Sequence, residues 1–192
     1  ADLFYLSIAL CLVLVMLIFQ TLKWYFIALF QKIPLTFFEA FSINLISNLY
    51  AFITPSKIGG IIRAEYLKKY TGNIGKGLYN FSVDKVLDLV SVIFLAIGFS
   101  FIFKDKFDLP IVFFSFLFLF FVFALLFFLK KERSKFVMRF IYQLFIPKKL
   151  KEKVKIIFES FYENTPKKRY FILFFILNVW SWLILYSISF FI

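Results

Sequence analysis

Leu3–Phe30 reads LFYLSIALCLVLVMLIFQTLKWYFIALF, and this stretch decides the class of the molecule. It is almost pure hydrocarbon to Phe19. At ~1.5 Å per residue a helix of this length exceeds the ~30 Å hydrocarbon core of a bilayer, so it tilts or emerges at its far end. It turns amphipathic at Gln20, Lys23 and Trp24, and Trp24 and Tyr25 beside Lys23 have the composition of an interface anchor. Pro34 ends the element. The rest of the chain agrees in kind: of 192 residues, 62% are hydrophobic and 33 are Phe, against about 45–50% apolar in soluble domains. The expectation is an all-α, polytopic helical membrane protein whose Phe content serves lipid-facing bulk and helix packing.

Residues 1–192 read as a single transmembrane domain. Spans are expected at 3–30, 36–53, 78–103, 111–129 and 170–192. The first residue is Ala, and the first apolar run lacks a basic flank and is too long for a signal peptide. The chain is therefore expected to be a piece of a longer protein. Residues 130–169 form the one extended stretch outside the spans. Val137, Phe140, Ile141 and Leu144 repeat at helical spacing, as do Leu150, Val154, Ile157, Phe158 and Phe161 after Pro147. These predict two amphipathic helices with basic polar faces. They either lie on an anionic membrane surface or pack on the protein's own spans.

Charge sets the orientation. Residues 130–169 carry 13 Lys/Arg against 4 Glu, and 57–76 carry 5 Lys/Arg against one Glu, so both should be cytoplasmic, in a multi-pass protein of the cell membrane. In 104–110 the charges cancel, which suits the opposite side. The 36–53 helix either spans or re-enters as a hairpin with 57–70. Re-entry would leave Lys23 and Lys32 cytoplasmic too, and is favoured for that reason. The net charge is +12, but its position beside spans points to anionic lipid rather than nucleic acid. There is no His, and Cys11 is the single thiol, so no zinc spacing exists. No nucleophile, nucleotide motif, metal or cofactor site is expected.

Two polar constellations interrupt this apolar background. Thr54-Pro55-Ser56-Lys57-Ile58-Gly59-Gly60-Ile61-Ile62-Arg63 places glycines, Lys57 and Arg63 between membrane-grade helices. Gly59 and Gly60 allow close backbone approach at the opening of a helix, whose N-terminus favours anions. Arg63 lies one turn on and can grip a phosphate bidentately. Lys57, Gly59, Gly60 and Arg63 thus make a candidate phosphate cradle, and a plain cytoplasmic turn is the alternative. Asp84 and Asp88 share a helix face beside Lys85 and need cationic partners, with Arg63, Lys57 and Lys85 available. They form either a structural ion pair or a site that exchanges partners with a headgroup. Asn44, Ser47 and Asn48 share a face of the 36–53 helix, where they bond a neighbouring helix or line a polar path.

Asn48, then Pro55-Ser56-Lys57-x-Gly59-Gly60-x-x-Arg63, then Lys85-x-x-Asp88 resembles the pattern of the lysylphosphatidylglycerol synthase transmembrane-region family. That pattern is roughly N, P-x-R/K-x-G-E-x-x-R and R/K-x-x-D, and Gly60 stands where it usually has Glu. The family includes the flippase half of the bacterial multiple peptide resistance factor and membrane parts of archaeal glycosyltransferases. The resemblance implies a bundle of more spans than are present here, and a protein that binds or translocates an anionic or polyprenyl-linked lipid. In that reading Lys57 to Arg63 hold the phosphate, Asp84, Lys85 and Asp88 counterbalance it, and Asn44 and Asn48 line the polar face. Transport would be passive or gradient-linked. The rival expectations are a membrane subunit of a lipid aminoacyl- or glycosyl-transferase, and a non-transporting scaffold. A homo-oligomer or a partner enzyme is compatible with each.

Overall fold

A computed structural model describes residues 3–103, 111–128, 132 and 151–191, without the side chains of Ser56, Lys57, Ile58, Leu125 and Phe128. The expected 104–110 loop, the first amphipathic helix and Lys57's role lie outside what is described. Among the described residues the chain is helical throughout: α1 (Leu3–Phe30), α2 (Phe37–Ile53), a 3-10 segment (Pro55–Ile61), α3 (Ile62–Thr71), α4 (Gly75–Ile102), α5 (Ile111–Phe128), α6 (Lys151–Phe161) and α7 (Tyr170–Phe191). Helices α1, α4 and α7 are long and apolar enough to cross a membrane.

Local sequence explains the boundaries. Lys32, at positive φ, and Pro34 follow the end of α1. Thr36 caps α2 in a capping box with Glu39. Thr54 closes α2 and Pro55 opens the 3-10 segment, where its missing N–H costs nothing. Gly72, at φ 69°, is the left-handed residue that ends α3.

Helices α1 and α7 pack antiparallel along their length, with Phe30 stacked on Tyr170 at 3.9 Å at one end and Tyr5 on Phe191 at 6.3 Å at the other. At the Phe30 end Gln31 donates to the Lys76 carbonyl at 3.2 Å, so α4 starts where α1 stops. The α2–α3 hairpin starts and finishes at this same end, because the Tyr70 hydroxyl meets Glu39 at 2.8 Å. Lys23 and Trp24 do not anchor an interface. Both are buried, and Trp24 packs with Ala28, Ile33, Leu35, Ala40, Ile43 and Leu67. The reason is that Lys23 has carboxylate partners inside the protein, described below.

Small residues let the hairpin approach α4. A Cβ on Gly77 would stand 2.6 Å from the Ala64 Cα, and one on Gly75 would strike the backbone of Ile157 and Phe161. Helix α6 is thereby docked on the first turns of α4, helped by an edge-on Tyr79–Phe161 contact and a Lys76–Glu163 ion pair of 2.9 Å. It packs against the protein's own α4 and leaves residues such as Ile156 exposed.

Gly77→Ala is expected to destabilise the protein by about 1–3 kcal/mol through overpacking. Gly98→Ala, with open space around its Cβ, should be neutral or stabilising by up to ~1 kcal/mol through helix propensity. Thermal unfolding in detergent, followed by size-exclusion fluorescence, checks the contrast.

Candidate functional site

Polar residues from five elements converge on one cavity of about 360 Å³, lined among others by Gln20, Lys23, Asn44, Asn48, Arg63, Asp84, Lys85, Asp88 and Ser181. Its depth follows from helix geometry. Lys23 is seven residues from the end of α1, and Asp84 is nine residues into α4. At ~1.5 Å per residue both sit roughly 10–14 Å inside the bundle from the Phe30 end.

Lys23 organises the charges. Its ammonium lies 2.5 Å from Asp84 and 2.9 Å from Asp88, and it also donates to the Asn178 side-chain oxygen at 2.5 Å. Two hydrogen bonds and a close ion pair thus hold the ammonium of a lysine buried to 3% exposure. Asn178 completes its own bonding by donating to the Leu87 carbonyl and to Ser91 Oγ, both at 2.9 Å. Helices α1, α4 and α7 are therefore tied at a single point.

Arg63 enters from α3. Nη1 comes within 3.2 Å of Asp84 Oδ2, an ion-pair distance, yet Nη1 and Nε have no hydrogen-bond partner and the residue is only 4% exposed. The contact is Coulombic without aligned hydrogen bonds. The guanidinium is flanked by Trp24 at 5.6 Å and Phe81 at 5.9 Å, within cation–π range. Lys85 is the most exposed cation, 3.2 Å from Asp88 and 3.9 Å from Asp84. Three cations thus face two carboxylates, leaving one positive charge in excess.

The neutral wall comes from α2. Asn44 donates to Thr21 Oγ1 at 2.9 Å, Asn48 to Gln20 at 3.2 Å, and Ser47 to the Gly60 carbonyl at 2.9 Å. The face predicted from spacing therefore both bonds α1 and lines the cavity. The glycine turn differs from expectation. The Gly59 N–H is spent on Thr54 Oγ1 at 2.7 Å. Gly59 and Gly60 lie within the 3-10 segment and do not open α3. A Cβ at Gly59 would strike the Tyr50 carbonyl and the Thr54 hydroxyl, so this glycine permits close packing on α2. Gly60 lines the cavity with no acid to offer.

Arg63, Asp84, Lys85, Asp88, Asn44 and Asn48 are thus brought together, and Gly60 joins them through its backbone. Sequence reasoning missed Lys23, Gln20, Thr21 and Asn178 as members of the site. A lysine with Gln20 and Thr21 within an otherwise apolar span was the available signal, since such a charge needs an internal counter-charge. Among the described residues no group of three or more His, Cys, Asp or Glu gathers as a metal site.

Lys23→Met takes a partner from buried Asp84 and partly buried Asp88 and is expected to cost about 3–5 kcal/mol. Lys85→Met, at a position 37% exposed, should cost no more than about 1 kcal/mol. Denaturant or thermal unfolding of the two variants in detergent checks the order.

No curated protein and no solved structure matches the chain. The family model described as the lysylphosphatidylglycerol synthase TM region matches residues 1–192. The chain accordingly belongs to the lysylphosphatidylglycerol synthase transmembrane-region family.

Proposed function

We propose that this protein is a flippase-like lipid handler whose cavity receives the anionic headgroup of a membrane lipid, a phosphodiester or a polyprenyl phosphate. The observation that carries the reading is Arg63. It is buried, it borders the cavity, and two of its nitrogens lack an acceptor. Leaving charged donors unpaired in a low-dielectric interior costs more than leaving neutral ones. A phosphate supplies the missing acceptors and cancels the surplus positive charge in one step.

The helices fit such a role. The α2–α3 hairpin reads as a re-entrant element, since its two ends meet at Glu39 and Tyr70, and it carries Arg63 into the interior. Asp84 stands between Lys23 and Arg63. A phosphate arriving at Arg63 competes with Asp84 while Lys23 keeps that carboxylate paired. Lys85, half-exposed at the rim, can exchange Asp88 for the incoming anion. The positive excess in 57–76 and 130–169 favours a cytoplasmic Phe30 end in a multi-pass protein of the cell membrane.

Translocation of fluorescent phosphatidylglycerol in proteoliposomes tests the proposal, with fluorescent phosphatidylcholine as the zwitterionic comparison. Arg63→Ala and Asp88→Ala are each expected to abolish movement of the anionic lipid while eluting as folded protein. Undiminished transport by both variants would remove the site assignment. Absence of anionic-lipid movement with the unmutated protein would instead favour a membrane subunit of a lipid-modifying enzyme or a scaffold.

A further inference from the structure

Gly60 borders the cavity beside Arg63, three residues before it in the chain. Its backbone does not call for glycine, since among the described residues Gly72 is the one glycine at positive φ. Packing does not exclude a side chain there either. A Cβ on Gly77 would strike the backbone of Ala64, whereas one on Gly60 would meet only side chains: the Phe81 ring edge at 3.3 Å, Ser47 Oγ at 3.5 Å and Ala51 Cβ at 3.7 Å. The nearest of these is a partly exposed ring, which can give by the few tenths of an ångström required.

The place left open at Gly60 adjoins the charges. Ser47 and Ala51 belong to the cavity wall. The Phe81 ring lies 5.9 Å from the Arg63 guanidinium and 5.8 Å from the Lys85 ammonium. An anionic group standing where a side chain at position 60 would project is therefore between two cations. Among the described lining residues, Lys23, Arg63 and Lys85 face Asp84 and Asp88, which leaves one positive charge over. A net charge at this depth is costly until a ligand cancels it. A phosphodiester brings one negative charge, a phosphocholine headgroup none overall, and a phosphomonoester about 1.5 to 2 at neutral pH. Of the three, the phosphodiester brings the cluster closest to neutrality.

We infer that Gly60 sets the charge class of the headgroup. By withholding a side chain it leaves both room and a single positive charge beside Arg63, and so selects a phosphodiester monoanion over zwitterionic headgroups and phosphomonoesters. This inference rests on the headgroup reading above and narrows it. A carboxylate at position 60 would fill the place and cancel the charge from within the protein.

Native mass spectrometry of the protein in detergent tests it through the order of lipid affinities. Phosphatidylglycerol serves as the phosphodiester monoanion, phosphatidylcholine as the zwitterion and phosphatidic acid as the phosphomonoester. The unmutated protein is expected to bind phosphatidylglycerol at least about tenfold tighter than either of the others. Gly60→Glu should lose that preference, while Gly60→Gln, of the same size without the charge, should keep it. Equal loss in both variants would reveal a steric effect and overturn the inference, as would equal binding of the three lipids by the unmutated protein. If both variants misfold, the order of affinities of the unmutated protein decides. Phosphatidylglycerol binding that depends on Arg63 but is indifferent to Gly60→Glu would remove this inference and leave the headgroup reading standing. Binding of none of the three lipids would remove both.

Discussion

A single lysine ammonium, sunk among apolar helices and held by two carboxylates, is the constraint on which the rest depends. Neither charge sign is tolerable alone at that depth. Lys23 therefore fixes where α1 meets α4, and Asn178 brings α7 to the same point. The long α1–α7 aromatic contact then has a defined register, from Phe30–Tyr170 to Tyr5–Phe191. The α2–α3 hairpin is fitted against this core through glycines, and Gly77 against Ala64 sets how near Arg63 comes to Asp84.

The two buried cations of the cluster differ in their hydrogen bonding. Lys23 donates hydrogen bonds to Asp88 and Asn178, whereas Arg63 beside it has charge proximity without aligned acceptors. That difference is what the proposed headgroup role of Arg63 rests on. The second constellation contributes less chemistry than its glycines suggest. Gly59 spends its N–H on Thr54, and Gly60 offers a backbone carbonyl to Ser47. With no acid at Gly60, the hairpin brings no carboxylate into the described cavity lining to cancel the surplus positive charge. Helix α6 is held on the first turn of α4 by close packing on Gly75 and by the Lys76–Glu163 ion pair just past its end.

Helical class and most element ends were legible because they depend on local signals: apolar length, Pro34, Pro55 and the left-handed Gly72. The α2 polar face was legible from spacing, since Asn44, Ser47 and Asn48 point one way on any helix. The partner of the acidic pair was not legible. Lys23 lies 61 residues before Asp84, and beside Trp24 and Tyr25 its local context imitates a membrane-interface anchor. Only the packing of α1 on α4 distinguishes the two. Asn178 was hidden for the same reason, since its role depends on a neighbour far away in the chain. Helix α4 begins at Gly75, before the apolar run at Leu78. Gly75, Lys76 and Gly77 are buried there by α3 and α6, which local propensity could not reveal.

The central claim is that a lipid phosphate completes Arg63. Solid-state NMR distance measurement between ³¹P of bound phosphatidylglycerol and ¹⁵N of the Arg63 guanidinium, in bilayers, tests it most directly. A phosphorus–nitrogen separation within ~5 Å, as a charge-assisted phosphate contact requires, that disappears in Arg63→Gln is the expected result. Absence of dipolar contact at Arg63, with the lipid's phosphorus found only near surface lysines, would contradict the account.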